Sequence, residues 1–296
     1  MSELWATAMG AWSDDFADLM LPFDRVAVSR PDLLFIGHGT PGFSYTVADP
    51  CPDGFSQMLK SDLTLAMAHY PMGAHLRLEL CSFRTGLATP RVVGMNGALW
   101  LMRQANPRVS GVIRRGVQDG QAMSLFIFPW LPIPQWAEFR IFIRQGALAG
   151  MSQLHADQVF GQIAQHAAAI RAAMDVFVAA ALPRIRQPDV VLDVLAEPVP
   201  QAGGFRIRLV DMALLGPRTD LGLFAHDNGP DFDGGFRFRR ADVTVNMPIP
   251  VMDSDKTLHP AQAPLPPPAL AASVPPPAPP PAPPAPPAPE DDVWRM

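Results

Sequence analysis

Apolar and polar positions along the chain recur at two different periods, and each change of period marks an element. From Gly54 to His69, the residues Phe55, Met58, Leu59, Leu63, Ala66 and Met67 fall at three- and four-residue spacing, which predicts a helix. "AHLRLELCSF" (74–83) switches to a period of two. There Leu76, Leu78 and Leu80 alternate with Arg77, Glu79 and Cys81, the pattern of a strand whose solvent-facing side carries Arg77 and Glu79. "AMSLFIFPWLPI" (122–133) is apolar almost throughout and reads as a buried strand. It must break at Pro129 and Pro132, because proline gives no N–H to a ladder, and the break predicts a connector between two lobes. In "AEFRIFIRQGALAGMSQ" (137–153), Phe139, Ile141 and Ile143 take one face and Glu138, Arg140, Phe142 and Arg144 the other. With a turn at Gln145 and Gly146, this is a hairpin.

The longest predicted helix spans 156–182, with Val159, Phe160, Ile163, Ala167, Ile170, Met174, Phe177 and Val178 as its core stripe and Pro183 as its stop. "DVVLDVLAEPV" and "FRIRLVDMALLG" read as a second hairpin, and "GGFRFRRADVTV" as a last strand pair. Antiparallel pairs with helices inserted between them make an α+β fold rather than a regular βαβ alternation. From Pro260 the chain becomes "PAQAPLPPPALAASVPPPAPPPAPPAPPAPEDDVWRM", a composition that populates polyproline II and builds no core. The expected organisation is an N-terminal lobe over 1–128, a C-terminal lobe over 129–255 and a disordered proline-rich tail over 256–296. The tail is read as a linker, with a docking arm that presents Trp294 to a protein partner as the alternative.

Composition narrows the function classes. The 296 residues are 48% hydrophobic and 17% charged, enough to bury a sizeable core, and most of the excess in the 35 prolines sits in the tail. A net charge of −5 argues against a general nucleic-acid binder, which needs a basic excess to neutralise phosphates. Two cysteines, Cys51 and Cys81, make no disulfide framework and point to reduced thiols in a cytoplasmic protein. The acidic start "MSELWATAMGAWSDDFADLM" lacks the build of a secretory signal, and no membrane-spanning segment is expected.

The chemistry centres on two carboxylates placed where the strand pattern asks for apolar side chains, Asp193 and Asp211. Their strands form the two arms of one hairpin, so both acids could meet on one face. A magnesium ion would relieve their repulsion, since it takes carboxylate oxygens while keeping phosphates and waters as further ligands. Spacing alone favours the other solution, in which each aspartate pairs with an arginine such as Arg206 or Arg208, or caps a turn. Cations for a phosphate partner are available at Arg77, Arg84, Arg140 and Arg144, all on or beside strands. "GHGTPG" (37–42) lacks the Gly-Lys-Ser/Thr ending of a P-loop and reads as a turn. "HDNGPDFDGG" (226–235) fits no calcium loop and reads as solvated.

Four segments in order, "AHLRLELCSFRT", "EFRIFIRQGALAGMSQ", "VVLDVLA" and "RIRLVDMALLGPRTDLGLF", resemble the cell division cycle protein 123 family, an ATP-grasp fold. The resemblance implies two lobes with antiparallel sheets and ATP between them, its adenine against the connector near Trp130 and Leu131. It implies ATP contacts from Arg77 and Arg84, which stand at family lysine positions, and from Arg140 and Gln153. It also implies Mg2+ on Asp193 and Asp211. The family's D-x-N pattern departs here, with Ala213 in place of the asparagine. Two functions follow from the resemblance. One is a ligase-like enzyme that activates an acceptor through a phosphorylated or adenylylated intermediate. The other is a non-catalytic ATP-binding assembly chaperone that acts on a protein client, for which the tail is a candidate arm.

Overall fold

A computed structural model describes residues 3–43, 52–83, 90–199, 203–217, 219–225, 230–241 and 243–248. Two short helices, α1 (Glu3–Ala6) and α2 (Met9–Trp12), lead through a 3-10 stretch into β1 (Asp24–Val28). Helices α3 (Arg30–Gly37) and α4 (Gln57–Ala68) precede β2 (Ala74–Leu78) and β3 (Cys81–Ser82), and α5 (Gly94–Met102) and α6 (Pro107–Gln118) precede β4 (Met123–Pro129). Side chains that accept from orphan N–H groups start three of these helices: Ser29 for α3, Ser56 for α4 and Asn106 for α6. Buried Asp32 ties the first two starts together, accepting from the Ser56 N–H and hydroxyl at 2.8 Å each.

The four strands form an antiparallel sheet in the order β1-β4-β2-β3. Its inner strand β4, Ser124 apart, is apolar on both faces because both are covered. Met123, Leu125 and Ile127 join a core with Leu76, Leu78 and the inner sides of α3 to α6, while Phe126 and Phe128 enter a second core. The face of β2 expected to meet solvent is covered in the same way. Arg77 stands opposite Phe126 and is 6% exposed, and Glu79, in the turn after β2, is 3% exposed. The two-residue period holds only over Ala74–Leu78: the single strand expected over 74–83 turns back at Glu79 and Leu80 into the antiparallel β3, and its charged alternate face meets a polar interior rather than water. The Glu79 carboxylate accepts from the Gly10 N–H at 2.7 Å and the Ser124 N–H at 2.8 Å, and burial pushes its carboxyl above the usual range.

Beyond Pro129 the chain passes through Trp130 and a 3-10 turn (Gln135–Ala137) into a second sheet. This sheet comprises β5 (Glu138–Arg144), β6 (Ala147–Gln153), β7 (Val190–Val199), β8 (Gly204–Leu214), β9 (Phe236–Arg240) and β10 (Val243–Met247), with α7 (Gly161–Ala181) between β6 and β7. The order is β10-β9-β6-β5-β7-β8, antiparallel except for the parallel β6–β9 pair, so the fold is a mixed α+β arrangement. The β5–β6 turn has Gln145 and Gly146 at φ 52° and 73°, the left-handed pair that a tight hairpin needs.

Helix α7 starts at Gly161, five residues later than its pattern suggests. The Gln153 side-chain amide donates to the carbonyls of His155 and Gln158 at 2.6 and 2.7 Å, fixing turns where the first helical turn was expected and leaving Val159 exposed. By length and composition α7 could cross a membrane, but Ile163, Ile170, Met174 and Phe177 are buried against the second sheet, as in a core helix. Contacts gather residues 1–250 into one unit; a second, 251–296, lies outside the described residues together with the proline-rich tail and Trp294.

Candidate functional site

Pairing across the second sheet builds one row of side chains. Arg237 on β9 stands opposite Ser152 on β6, Ser152 opposite Arg140 on β5, Arg140 opposite Asp193 on β7, and Asp193 opposite Asp211 on β8. Directly opposed residues share a face, so polar groups from five strands line up, while Phe139, Ile141, Leu192 and Val194 fill the other face toward α7. A bulge sets the end of the row: Asp193 pairs with Asp211 but Val194 pairs with Leu209, which leaves Val210 without a partner. The bulge lets Ile207, Leu209 and Met212 all reach the core although their spacing changes from two to three. Asp211 sits at that change of phase and is turned to the side of Asp193.

Each aspartate is held by an arginine, though not by the ones nearest in sequence. The Arg140 guanidinium grips Asp193 with Nε and Nη2 at 2.7 and 3.0 Å and donates to the Asp220 carbonyl at 2.9 Å. Arg77 reaches from the first sheet and donates to Asp211 at 2.5 Å. Arg208 turns instead to Glu197 and the Met20 carbonyl, and Arg206 is exposed. Burial lowers the Arg140 pKa, but the hydrogen bond and charge of Asp193, with Asp220 and Asp211 behind it, more than reverse this. Burial raises the Asp211 carboxyl and Asp193 adds to the rise, against the pull of Arg77.

Beside this cluster lies a cavity of about 290 Å³. Its apolar walls include Phe128, Trp130, Leu131 and Leu209, and its polar groups include Arg77 and Glu138. Trp130 and Leu131, the expected adenine contacts, are therefore in its wall, and Trp130 is fixed by its N–H to the Gly73 carbonyl at 2.9 Å. The Nε of Arg77 is buried with no hydrogen-bond partner among the described residues, a donor left over beside the cavity. Gln153 is placed elsewhere: it stands opposite Phe139, is 1% exposed, and accepts from the Arg239 N–H while its amide holds the two carbonyls before α7. Arg144 is exposed at the end of β5, and Arg84 lies outside the described residues.

Three polar contacts in or beside this row escaped the sequence. Asp220 supports Arg140, and His155 holds Glu138 at 2.9 Å beside the cavity. Arg237, almost fully buried, is held by Asp231 and Asp233 and stacks on Phe224 with its guanidinium carbon 4.1 Å from the ring centre. The 226–235 segment is thus no purely solvated loop, since two of its acids neutralise a buried cation; His226 and Asp227 lie outside the described residues. Among the described residues no group of three histidines, cysteines or acids could cage a metal. Two carboxylates side by side near arginines still suit magnesium, which uses one or two protein carboxylates when phosphates complete its shell. Ala213, exposed two residues beyond Asp211, adds no ligand oxygen.

Residues 113–230 match the D123 family model, and none of the curated proteins matches the chain. Cdc123 from Schizosaccharomyces pombe superposes with a TM-score of 0.59 at 17% identity, over 74% of this chain and 87% of that one. Its C-terminally truncated form gives 0.58 at the same identity and coverage. A RimK domain ATP-grasp protein from Sphaerobacter thermophilus aligns over 71% of this chain and 59% of its own at a TM-score of 0.36 and 10% identity, too loose a likeness to fix a fold. The chain shares the fold of the yeast protein, and within it residues 113–230 are similar to the D123 family.

Proposed function

We propose that this protein binds ATP with magnesium in the cavity between its two sheets, as the resemblance to the ATP-grasp fold implies, with residues 1–128 and 129–255 acting as the two lobes. The observation that carries the reading is one place: a cavity of about 290 Å³ with aromatic walls is lined by Arg77, whose guanidinium donates to Asp211, which stands opposite the Asp193 that Arg140 holds. The base would lie against Phe128, Trp130 and Leu131. Arg77 and Arg140 would face phosphate oxygens, where guanidinium forks fit well, and Asp193 and Asp211 would hold the metal. The metal's chemistry there would be to neutralise and orient the phosphates.

Ala213 favours binding over turnover, because the metal would gain no third side-chain oxygen from β8. A nucleotide-dependent assembly factor that uses its proline-rich tail toward a protein client is therefore preferred to a ligase. The sparse cysteines support a cytoplasmic location, which cell fractionation tests. The nucleotide reading is tested by thermal unfolding with ATP, with and without magnesium. Ligand at a hundred times its dissociation constant should stabilise by about 2.7 kcal/mol. At about 2–4 °C per kcal/mol this is a rise of roughly 5–10 °C. No rise with millimolar magnesium and ATP would overturn it. ATP consumption over a panel of acceptors separates ligase from binder.

A further inference from the structure

Resting on that nucleotide reading, we infer that the Arg77–Asp211 and Arg140–Asp193 pairs form a latch that closes the site to either half of its ligand alone and opens only to cation and polyphosphate together. Both carboxylates suited to a metal are occupied by guanidinium groups, and both guanidinium groups suited to phosphate are occupied by carboxylates. The Arg77 and Arg140 side chains are 7% and 16% exposed, so neither can shed its partner into bulk water at little cost. A lone divalent ion must displace two guanidinium groups, leaving Arg77 without its carboxylate beside the ion and Arg140 with Asp220 alone. A lone polyphosphate must strand two carboxylates that already face one another. When the two arrive together, carboxylates exchange guanidinium for metal and guanidinium groups exchange carboxylate for phosphate, so no charge is left without a partner. Metal and polyphosphate binding are then coupled reciprocally. Arg77 belongs to the first sheet and Asp211 to the second, so the exchange also releases the ion pair that spans them.

The test uses the full chain and no nucleotide. Mn2+ binding is followed by electron paramagnetic resonance of the free ion, and inorganic tripolyphosphate binding by calorimetry in chelator. Wild type should bind each alone only weakly. Arg77→Met frees Asp211 and should tighten Mn2+ binding at least tenfold, a gain that Asp193→Asn in the same chain removes. Asp211→Asn frees Arg77 and should tighten metal-free tripolyphosphate binding at least tenfold. If Arg77→Met does not fold, as judged by circular dichroism, the near-isosteric Asp211→Asn arm decides. Wild type binding Mn2+ as tightly as Arg77→Met, or no gain of tripolyphosphate binding in Asp211→Asn, overturns the latch. Because neither probe is a nucleotide, that failure leaves the ATP reading standing; gains in both arms with no stabilisation by magnesium and ATP would remove the ATP reading alone.

Discussion

Replacing Arg140 by methionine keeps the stem on the sheet and deletes the fork that holds Asp193. Removing one partner of a fully buried ion pair costs about 3–5 kcal/mol, since the other charge stays buried and unpaired. Exposed pairs are worth about 0–1 kcal/mol. Here the side chains are 16% and 28% exposed, so water screens part of the loss, and Asp193 is left facing Asp211, which restores part of it. The expected cost of Arg140→Met is about 2–3 kcal/mol. Urea unfolding with unchanged slope should read it as a lower midpoint, and thermal unfolding as a fall of roughly 5–10 °C. In a double-mutant cycle, adding Asp193→Asn should recover at least about 1 kcal/mol relative to the sum of the single changes. A cost under about 0.5 kcal/mol, or an additive cycle, would mean that the pair does not hold the row together.

Other parts of the fold can be tested as directly. Glu79→Ala strands the N–H groups of Gly10 and Ser124 and should cost about 2–4 kcal/mol by urea unfolding. Burial raises this carboxyl, so the folded protein binds the proton more tightly than the unfolded chain. Its contribution is therefore complete below the unfolded pKa and lost as pH rises through the raised value, a slope that Glu79→Ala should flatten. Gly150→Ala would place a Cβ 2.5 Å from the buried Phe224 ring and should destabilise by about 1–3 kcal/mol, read as a lower melting temperature. Burial pushes the Cys81 thiol up to about 11, so iodoacetamide at pH 8 should label its peptide in the native protein at least about tenfold more slowly than in urea, by mass spectrometry. Equal labelling would show that the first sheet opens readily.

Local pattern was legible where one physical rule governed a whole element. The β5–β6 hairpin follows from alternation and a Gln-Gly turn, and β4 from an apolar run that a proline ends. The amphipathic α6 escaped although Val109, Val112, Ile113 and Val117 keep the helical period, and β1 with only five residues offers little to read. The α5 segment is apolar around most of its surface, so its period gives no face. The late start of α7 was illegible for another reason, since it depends on side-chain hydrogen bonds from Gln153 rather than on the helix's own residues.

The sequence by itself determined that two aspartates interrupt neighbouring apolar strands, that basic side chains alternate on several others, and that an aromatic, proline-broken stretch ends one strand and precedes the next. These are properties of short segments, for which backbone geometry and side-chain period are enough. It even contained the bulge, as the change from two- to three-residue spacing between Leu209 and Met212. Only the tertiary structure decided which arginine each aspartate meets, because the partner of Asp211 is 134 residues away in another sheet. Tertiary structure also decided that the polar face of β2 looks into the protein: whether an alternate row of charges meets water or a second layer depends on what packs over it, and no local period carries that information.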